Sequence, residues 1–151
     1  MKKNYISLAK KSADIQINEL KKVKKIFSNS FVKAIDLILN CKGKVIFAGI
    51  GKSGLIARKI SATFSSVGIP SFFCDPAQAL HGDMGQIEKK DILIIFSYSG
   101  NTSELNNMIK YANRYRIKII GVASKIDSIL LKASDVTVSY THLRAHETST
   151  Y

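Results

Sequence analysis

The segment with the clearest chemical potential is the hydroxyl loop, residues 97–102, which reads Ser-Tyr-Ser-Gly-Asn-Thr. It follows an apolar run at 92–96 and precedes helical spacing, which predicts a strand that turns into a helix. Hydroxyls and successive backbone N–H groups at such a turn can surround a dianion, and each hydrogen bond to a charged group contributes about 1.5–3 kcal/mol. The alternative, an N-cap without a ligand, needs only one such residue. The cluster therefore favours a phosphate site, whose candidate ligands are Ser97, Ser99, Gly100 and Thr102.

The glycine turn, residues 49–54, is a second candidate site with the sequence GIGKSG. It joins the apolar run 45–48 to a helix. Free backbone N–H groups, the positive N-terminal end of that helix and the side chain of Lys52 could then all face an anion. The glycines also match the dinucleotide fingerprint GxGxxG, for which Asp75 would bind the ribose. A third interpretation is tight packing without a ligand. A P-loop is excluded because it would need glycine where the chain has Ile46.

Two side chains near these turns could move protons. Glu104 lies in the first turn of the helix after the hydroxyl loop, where a carboxylate either complements the helix dipole or acts as a base beside an anchored substrate. His81 lies in the glycine-flanked segment 81–85 and is either a solvated histidine or a second acid–base group. His81 and Asp83 are too few for a metal site, since zinc usually takes three or four protein ligands, so no metal is predicted.

Alternating strands and helices must position these residues. Continuous apolar runs predict strands that are buried on both faces, and hence a parallel sheet. Right-handed crossovers then give an α/β fold, a doubly wound three-layer αβα sandwich with a five-stranded parallel sheet. The predicted strands are residues 45–48, 71–74, 92–96, 117–122 and 135–138, and the predicted helices are one ending near Ser28, 31–39, one ending near Val67, 103–115 and 126–131.

Composition limits the class of protein. The chain has 151 residues, of which 46% are hydrophobic, which suits one globular domain. No apolar run approaches the ~18 residues of a membrane span, and no signal peptide is predicted. The formal net charge is +12, to which residues 1–25 contribute eight lysines. Apolar residues in this segment recur at three- and four-residue steps, so the lysines fall on the outer face of an amphipathic helix. This favours a solvated helix face over nucleic-acid binding. Two unpatterned cysteines, Cys41 and Cys74, favour a reduced, cytoplasmic setting.

Three segments together resemble the sugar isomerase (SIS) domain, and more closely the arabinose-5-phosphate isomerases of capsule and Kdo pathways. They read GIGKSGLIARKISATFSSVGIPSFF, DPAQALHGDMGQI and DILIIFSYSGNTSEL, in the family's order. The resemblance implies a flavodoxin-like fold and interconversion of ribulose 5-phosphate and arabinose 5-phosphate through an enediol, without a cofactor. It further implies a homodimer or homotetramer that binds a pentose 5-phosphate and neither nucleic acid nor membrane.

The resemblance also implies roles for individual residues. Lys52, Glu104 and His81 would be catalytic, with Lys52 stabilising the enediolate oxygen and His81 assisting ring opening or proton transfer. The substrate-binding residues would be Gly51, Ser53, Ser97, Ser99, Gly100 and Thr102. The chain departs from the family at Asp75-Pro76, where a His-Pro pair is usual, at Gln78, where a glutamate is common, and at Asn101, where an acidic residue is usual.

The domain organisation predicted from these segments has three parts: N-terminal helices packing on the core (1–42), a SIS core (43–138) and a tail without family motifs (139–151). The segment that supplies a second glutamate and a histidine in the family is not matched by the tail. We therefore expect a truncated domain that retains phosphosugar binding but has weak or absent activity. An alternative function is a non-catalytic phosphosugar sensor, which would need the phosphate ligands but not Glu104, and another is a nicotinamide-binding enzyme.

Overall fold

Five apolar segments form one parallel sheet in the computed structural model, which describes residues 4–140. The strands are β1 (Val45–Gly49), β2 (Ser71–Phe73), β3 (Ile92–Ser97), β4 (Lys118–Ala123) and β5 (Val136–Ser139). The sheet order is β2-β1-β3-β4-β5, and every neighbouring pair is parallel. This order is the flavodoxin-like one, in which β1 and β3 are neighbours. The predicted fold class is therefore confirmed.

Within residues 4–140, five α-helices and three 3₁₀ turns connect and flank the strands. The helix α4 (Leu105–Tyr115) shows why they form: its four buried residues recur at three- and four-residue steps and make one apolar stripe. It ends at Arg116, whose left-handed backbone (φ 56°) closes the last turn. The helices are α1 (Tyr5–Lys22), α2 (Asn29–Leu39), α3 (Lys52–Ser66), α4 (Leu105–Tyr115) and α5 (Ile129–Ala133), and the 3₁₀ turns are Val23–Ile26, Ala79–His81 and Asp83–Gln86.

Successive strand residues point to opposite faces of the sheet and build two apolar layers. Ile46 and Leu93 belong to the layer under α4 and α5, whereas Phe47 and Ile94 belong to the layer under α2 and α3. The central strands are thus buried on both sides, which explains their continuous apolar sequences. The helices that follow β1 and β3, α3 and α4, consequently cover opposite faces of the sheet.

Asp91 fixes the amino ends of β1 and β3 against each other. Its carboxylate is buried and accepts hydrogen bonds from the backbone N–H groups of Lys44 (2.7 Å) and Glu88 (2.8 Å). The Lys44 ammonium lies 3.4 Å from the same carboxylate. A side chain at Gly43 would overlap Asp91, so glycine is required there. These contacts hold the two site-bearing strands in register from the end opposite the site.

The N-terminal helix is more exposed than its sequence pattern suggests. No residue of α1 is buried, and Ile6 and Leu20 are 71% and 69% exposed. The apolar stripe predicted for this helix is therefore left uncovered within residues 4–140. The helix also gives way to a 3₁₀ turn at Val23, earlier than predicted. No helix in the described range is long and apolar enough to cross a membrane.

Several boundaries differ from the prediction by one to three residues. Helix α5 begins at Ile129 rather than at 126, because Ser128 caps it by accepting the Leu131 N–H. Strand β5 continues through Ser139, the first residue of the predicted tail, and the N–H of Tyr140 bonds to Ala123. The rest of that predicted tail, residues 141–151, lies outside the described part of the chain.

Candidate functional site

The candidate site lies at the carboxyl edge of the sheet, where β1 and β3 diverge. Gly49 and Phe96 are paired at the ends of these strands. Because α3 and α4 leave toward opposite faces, a crevice opens between the two connections, which is where open α/β sheets bind ligands. A cavity of about 300 Å³ occupies this position. It is lined by Ile50, Lys52, Ser53, Phe96, Ser97, Tyr98, Ser99 and Thr102.

The glycine turn forms one wall of this cavity. Gly51 adopts φ 59° and ψ −127°, a conformation that is available to glycine but strained for other residues. A Cβ at Gly54 would lie 2.6 Å from the Gly49 carbonyl oxygen, so these two glycines allow α3 to begin close against β1. The helix α3 begins at Lys52, which therefore lies at the helix N-terminus and lines the cavity.

The hydroxyl loop forms the opposite wall and is held by its own side chains. Ser97 is 4% exposed, and its Oγ accepts the N–H of Gly100 (3.0 Å) and lies 3.1 Å from the Oγ1 of Thr102. The Oγ of Ser99 accepts the N–H of Asn101 (3.2 Å). A hydroxyl can donate while it accepts, so these groups can still donate to an anion. The loop is therefore shaped before any ligand binds.

The charge of the lining suits an anion. Among the eight lining residues, Lys52 is the only formally charged one, and five others carry a hydroxyl group. Of the predicted substrate ligands, Ser53, Ser97, Ser99 and Thr102 line the cavity, whereas Gly51 and Gly100 lie in the adjoining turns. Three further lining residues were not predicted from the sequence, although each adjoins a predicted one: Ile50, Phe96 and Tyr98.

The predicted acid–base residues do not line the cavity. Glu104 is exposed and accepts a hydrogen bond from the hydroxyl of Ser103 (2.8 Å). Its own backbone N–H and the Ser103 hydroxyl lower the pKa of Glu104, so it is ionised at neutral pH. His81 ends the 3₁₀ turn Ala79–His81 and is exposed. Their catalytic roles therefore remain predictions.

The geometry disfavours a dinucleotide site. In the dinucleotide-binding Rossmann fold the neighbours of β1 are β2 and β4, whereas in this sheet they are β2 and β3. Asp75, the candidate ribose ligand, accepts the N–H of Ala77 (3.0 Å) and thereby stabilises a local turn. Among residues 4–140, no group of three or more histidine, cysteine, aspartate or glutamate residues could hold a metal ion.

The sequence matches the SIS domain over residues 38–150. The chain belongs to the SIS domain family. This confirms the family expected from the three motifs, and the match includes most of the segment predicted to be a tail. SIS-domain residues therefore form both walls of the cavity described above.

Similar proteins carry isomerase names. A Haemophilus influenzae protein named "Probable arabinose 5-phosphate isomerase" is 41% identical over 138 residues, which cover 91% of this chain and 41% of that protein. Arabinose 5-phosphate isomerase KpsF of Escherichia coli O6:H1 is 41% identical over 132 residues, covering 87% of this chain and 39% of that protein. The chain thus spans about two fifths of the length of these curated relatives.

A solved structure of a similar protein contains a ligand. The E. coli CFT073 protein c3406, in complex with arabinose 5-phosphate, superposes with a TM-score of 0.79 at 36% identity. The superposition covers 90% of this chain and 74% of that one. The fold of this chain is therefore the fold of a domain that binds arabinose 5-phosphate in another protein.

Proposed function

We propose that this chain carries the phosphosugar site of an aldose–ketose isomerase that interconverts ribulose 5-phosphate and arabinose 5-phosphate. The observation that carries the proposal is the cavity at the β1–β3 edge, with Lys52 on one wall and the hydroxyl loop on the other. The names of the relatives and the sugar-phosphate complex of the E. coli protein support this choice of substrate.

The hydroxyl loop would hold the 5-phosphate. Ser97, Ser99 and Thr102 offer hydroxyl donors, and Gly100 lets the backbone turn tightly at φ 66°. A dianion between these donors and the N-terminal end of α3 gains both hydrogen bonds and a favourable helix dipole. Ser53, in the first turn of α3, would contact the sugar beside Gly51.

The reaction moves one proton between C1 and C2 of the sugar and a second proton between the oxygens on those carbons. Removing the proton on carbon gives an enediolate, whose oxygen a cation at Lys52 would stabilise. The ionised carboxylate of Glu104 is a suitable base once a substrate is anchored beside it. His81 would assist ring opening or proton transfer. The ketose and the aldose have the same overall oxidation level, so the chemistry needs no redox cofactor.

Deuterium exchange at C2 tests the proposal directly. Arabinose 5-phosphate would be incubated with the protein in D₂O, and loss of the C2 proton signal would be followed by NMR. We expect slow exchange with the wild type, in keeping with the weak activity expected from the sequence, and none with Glu104→Gln. Glu88→Gln, an equally conservative change at an exposed glutamate away from the cavity, should leave exchange unchanged. Exchange that survives in Glu104→Gln would remove Glu104 from the mechanism.

A phosphosugar sensor is the second candidate function, favoured by one observation. The groups that suit phosphate line the cavity, whereas Glu104 and His81 do not. Binding of arabinose 5-phosphate without C2 exchange would select the sensor, and thermal stabilisation by the sugar would report that binding. If neither binding nor exchange occurs, both functions are excluded.

The proposed assembly is a homodimer or homotetramer that works in the cytoplasm. Val32, Ile35 and Leu39 recur at helical steps on α2 and are exposed, as are apolar side chains of α1. Exposed apolar surface of this kind favours contact with a second copy. The two thiols, Cys41 and Cys74, are both free, which suits a reducing compartment. Light scattering on a size-exclusion column would give the number of copies.

A further inference from the structure

The start of α5 is bound to the hydroxyl loop by two hydrogen bonds. The N–H of Ile129 donates to the side-chain oxygen of Asn101 (2.9 Å), and the N–H of Leu130 donates to the carbonyl oxygen of Gly100 (3.0 Å). A Cβ at Gly100 would overlap the hydroxyl of Ser128, so the two segments also touch directly. The first N–H groups of a helix have no partner inside the helix, and here the loop satisfies two of them.

Asn101 supplies the side-chain hydrogen bond in this connection between the loop and α5. Its own N–H bonds to the hydroxyl of Ser99, a cavity residue, while its amide oxygen reaches Ile129, which is 28 residues further along the chain. Asn101 itself is exposed and is not part of the cavity lining. It can therefore influence a ligand only through the position of the loop.

We propose that Asn101 is a positioning residue, which holds the hydroxyl loop in its phosphate-binding shape by anchoring it to α5. The inference rests on the proposed phosphosugar function. A loop that is fixed before binding loses less conformational freedom when the phosphate arrives, so affinity is higher. The amide of Asn101 offers an acceptor for the Ile129 N–H without placing a negative charge near the phosphate.

The hydrogen bond can be removed from either end. Asn101→Ala removes the acceptor. Ile129→Pro removes the donor at the first helical position, where proline is tolerated, and the preceding residue Ser128 has the extended backbone (φ −70°, ψ 155°) that proline requires. Ile129→Ala is the matched control, because it trims the same half-exposed side chain but keeps the N–H.

Dissociation constants for arabinose 5-phosphate and for inorganic phosphate would be measured by calorimetry. We expect Asn101→Ala and Ile129→Pro each to weaken both ligands by about three- to tenfold, the value of one neutral hydrogen bond. The double variant should be no weaker than either single one, because both changes remove the same bond. Ile129→Ala should bind like the wild type.

Asn101→Asp provides the conservative rescue. It keeps an oxygen in the same place, so most of the affinity should return, and the remaining deficit should shrink as salt screens the added charge. A purely stabilising role would lower the melting temperature without changing either dissociation constant. Wild-type affinity in both Asn101→Ala and Ile129→Pro would overturn the positioning role while leaving the proposed function intact. Absence of phosphosugar binding by the wild type would instead refute the proposed function, and this inference with it.

Discussion

Replacing Thr102 by valine tests the hydroxyl loop with little change in shape. Thr102 lines the cavity, and its Oγ1 lies 3.1 Å from the Oγ of Ser97. In Thr102→Val, the Ser97 hydroxyl keeps the Gly100 N–H as a partner, so no buried polar group is left without one. The free energy of unfolding should therefore fall by only about 0.5–1.5 kcal/mol, the value of one neutral hydrogen bond.

The expected effect on ligand binding is larger. A hydrogen bond to a charged phosphate is worth about 1.5–3 kcal/mol, so Thr102→Val should raise the Kd for arabinose 5-phosphate about 10- to 150-fold. At a ligand concentration of about 100 Kd, the wild type gains about 2.7 kcal/mol. At the same concentration, a variant that binds about 30-fold more weakly gains only about 0.9 kcal/mol.

The melting temperature reports this difference. In a chain of this size 1 kcal/mol shifts Tm by roughly 2–4 °C, so the ligand should raise Tm by about 5–11 °C in the wild type and about 2–4 °C in Thr102→Val. Thr102→Ser, which keeps the hydroxyl, is the control and should respond like the wild type. Equal ligand-induced shifts in the wild type and Thr102→Val would show that this hydroxyl does not contact the phosphate, and the assignment of the loop would fail.

Three further predictions concern stability, pH response and thiol reactivity. In urea denaturation, Asp91→Asn should lower the free energy of unfolding by about 2–4 kcal/mol, because the buried contacts of the Asp91 carboxylate are broken. Glu88→Gln, at an exposed residue nearby, should lower it by less than about 1 kcal/mol. Equal losses in the two variants would contradict the role of Asp91. The pKa of Glu104 is lowered by its backbone N–H and by the Ser103 hydroxyl. Ser103→Ala removes that hydroxyl and should raise this pKa, so the acidic limb of the pH profile of C2 exchange should move to higher pH. A limb that does not move would speak against Glu104 as the base. Burial, with nearby aspartates, raises the pKa of Cys74 to about 11, so its thiol should resist labelling at pH 8 until the protein unfolds, as mass spectrometry can check.

The layout of the sheet could be predicted because the signals are local. Each central strand is a continuous apolar run, and the buried stripe of α4 is visible in the sequence. Parallel strands then bring the glycine turn and the hydroxyl loop to the same edge. Boundaries were less accurate where a single capping residue decides them, as Ser128 does for α5.

The internal organisation of the site could not be predicted, because it depends on contacts between distant residues. Nothing local to Asn101 shows that its amide oxygen will meet the N–H of Ile129. Sequence alone also suggested that Ser97 is simply a ligand, whereas its buried hydroxyl supports the loop through Gly100 as well. For α1 the apolar period indicated a helix but not what covers it, and within residues 4–140 no residue of this helix is buried.

The position of the acid–base residues outside the cavity agrees with the shape of the proposed substrate. In a pentose 5-phosphate the phosphate and the reacting carbons, C1 and C2, lie at opposite ends of the molecule. A cavity whose walls are hydroxyls and one lysine, with no carboxylate among its lining residues, has the chemistry of the phosphate end. The phosphate would then lie among the hydroxyls and the reacting end would extend toward Lys52, where a base has to be supplied from another segment. Glu104 immediately precedes the helix that follows the hydroxyl loop, so it can act as the base only if the sugar reaches back toward the start of α4, which the C2 exchange of Glu104→Gln tests.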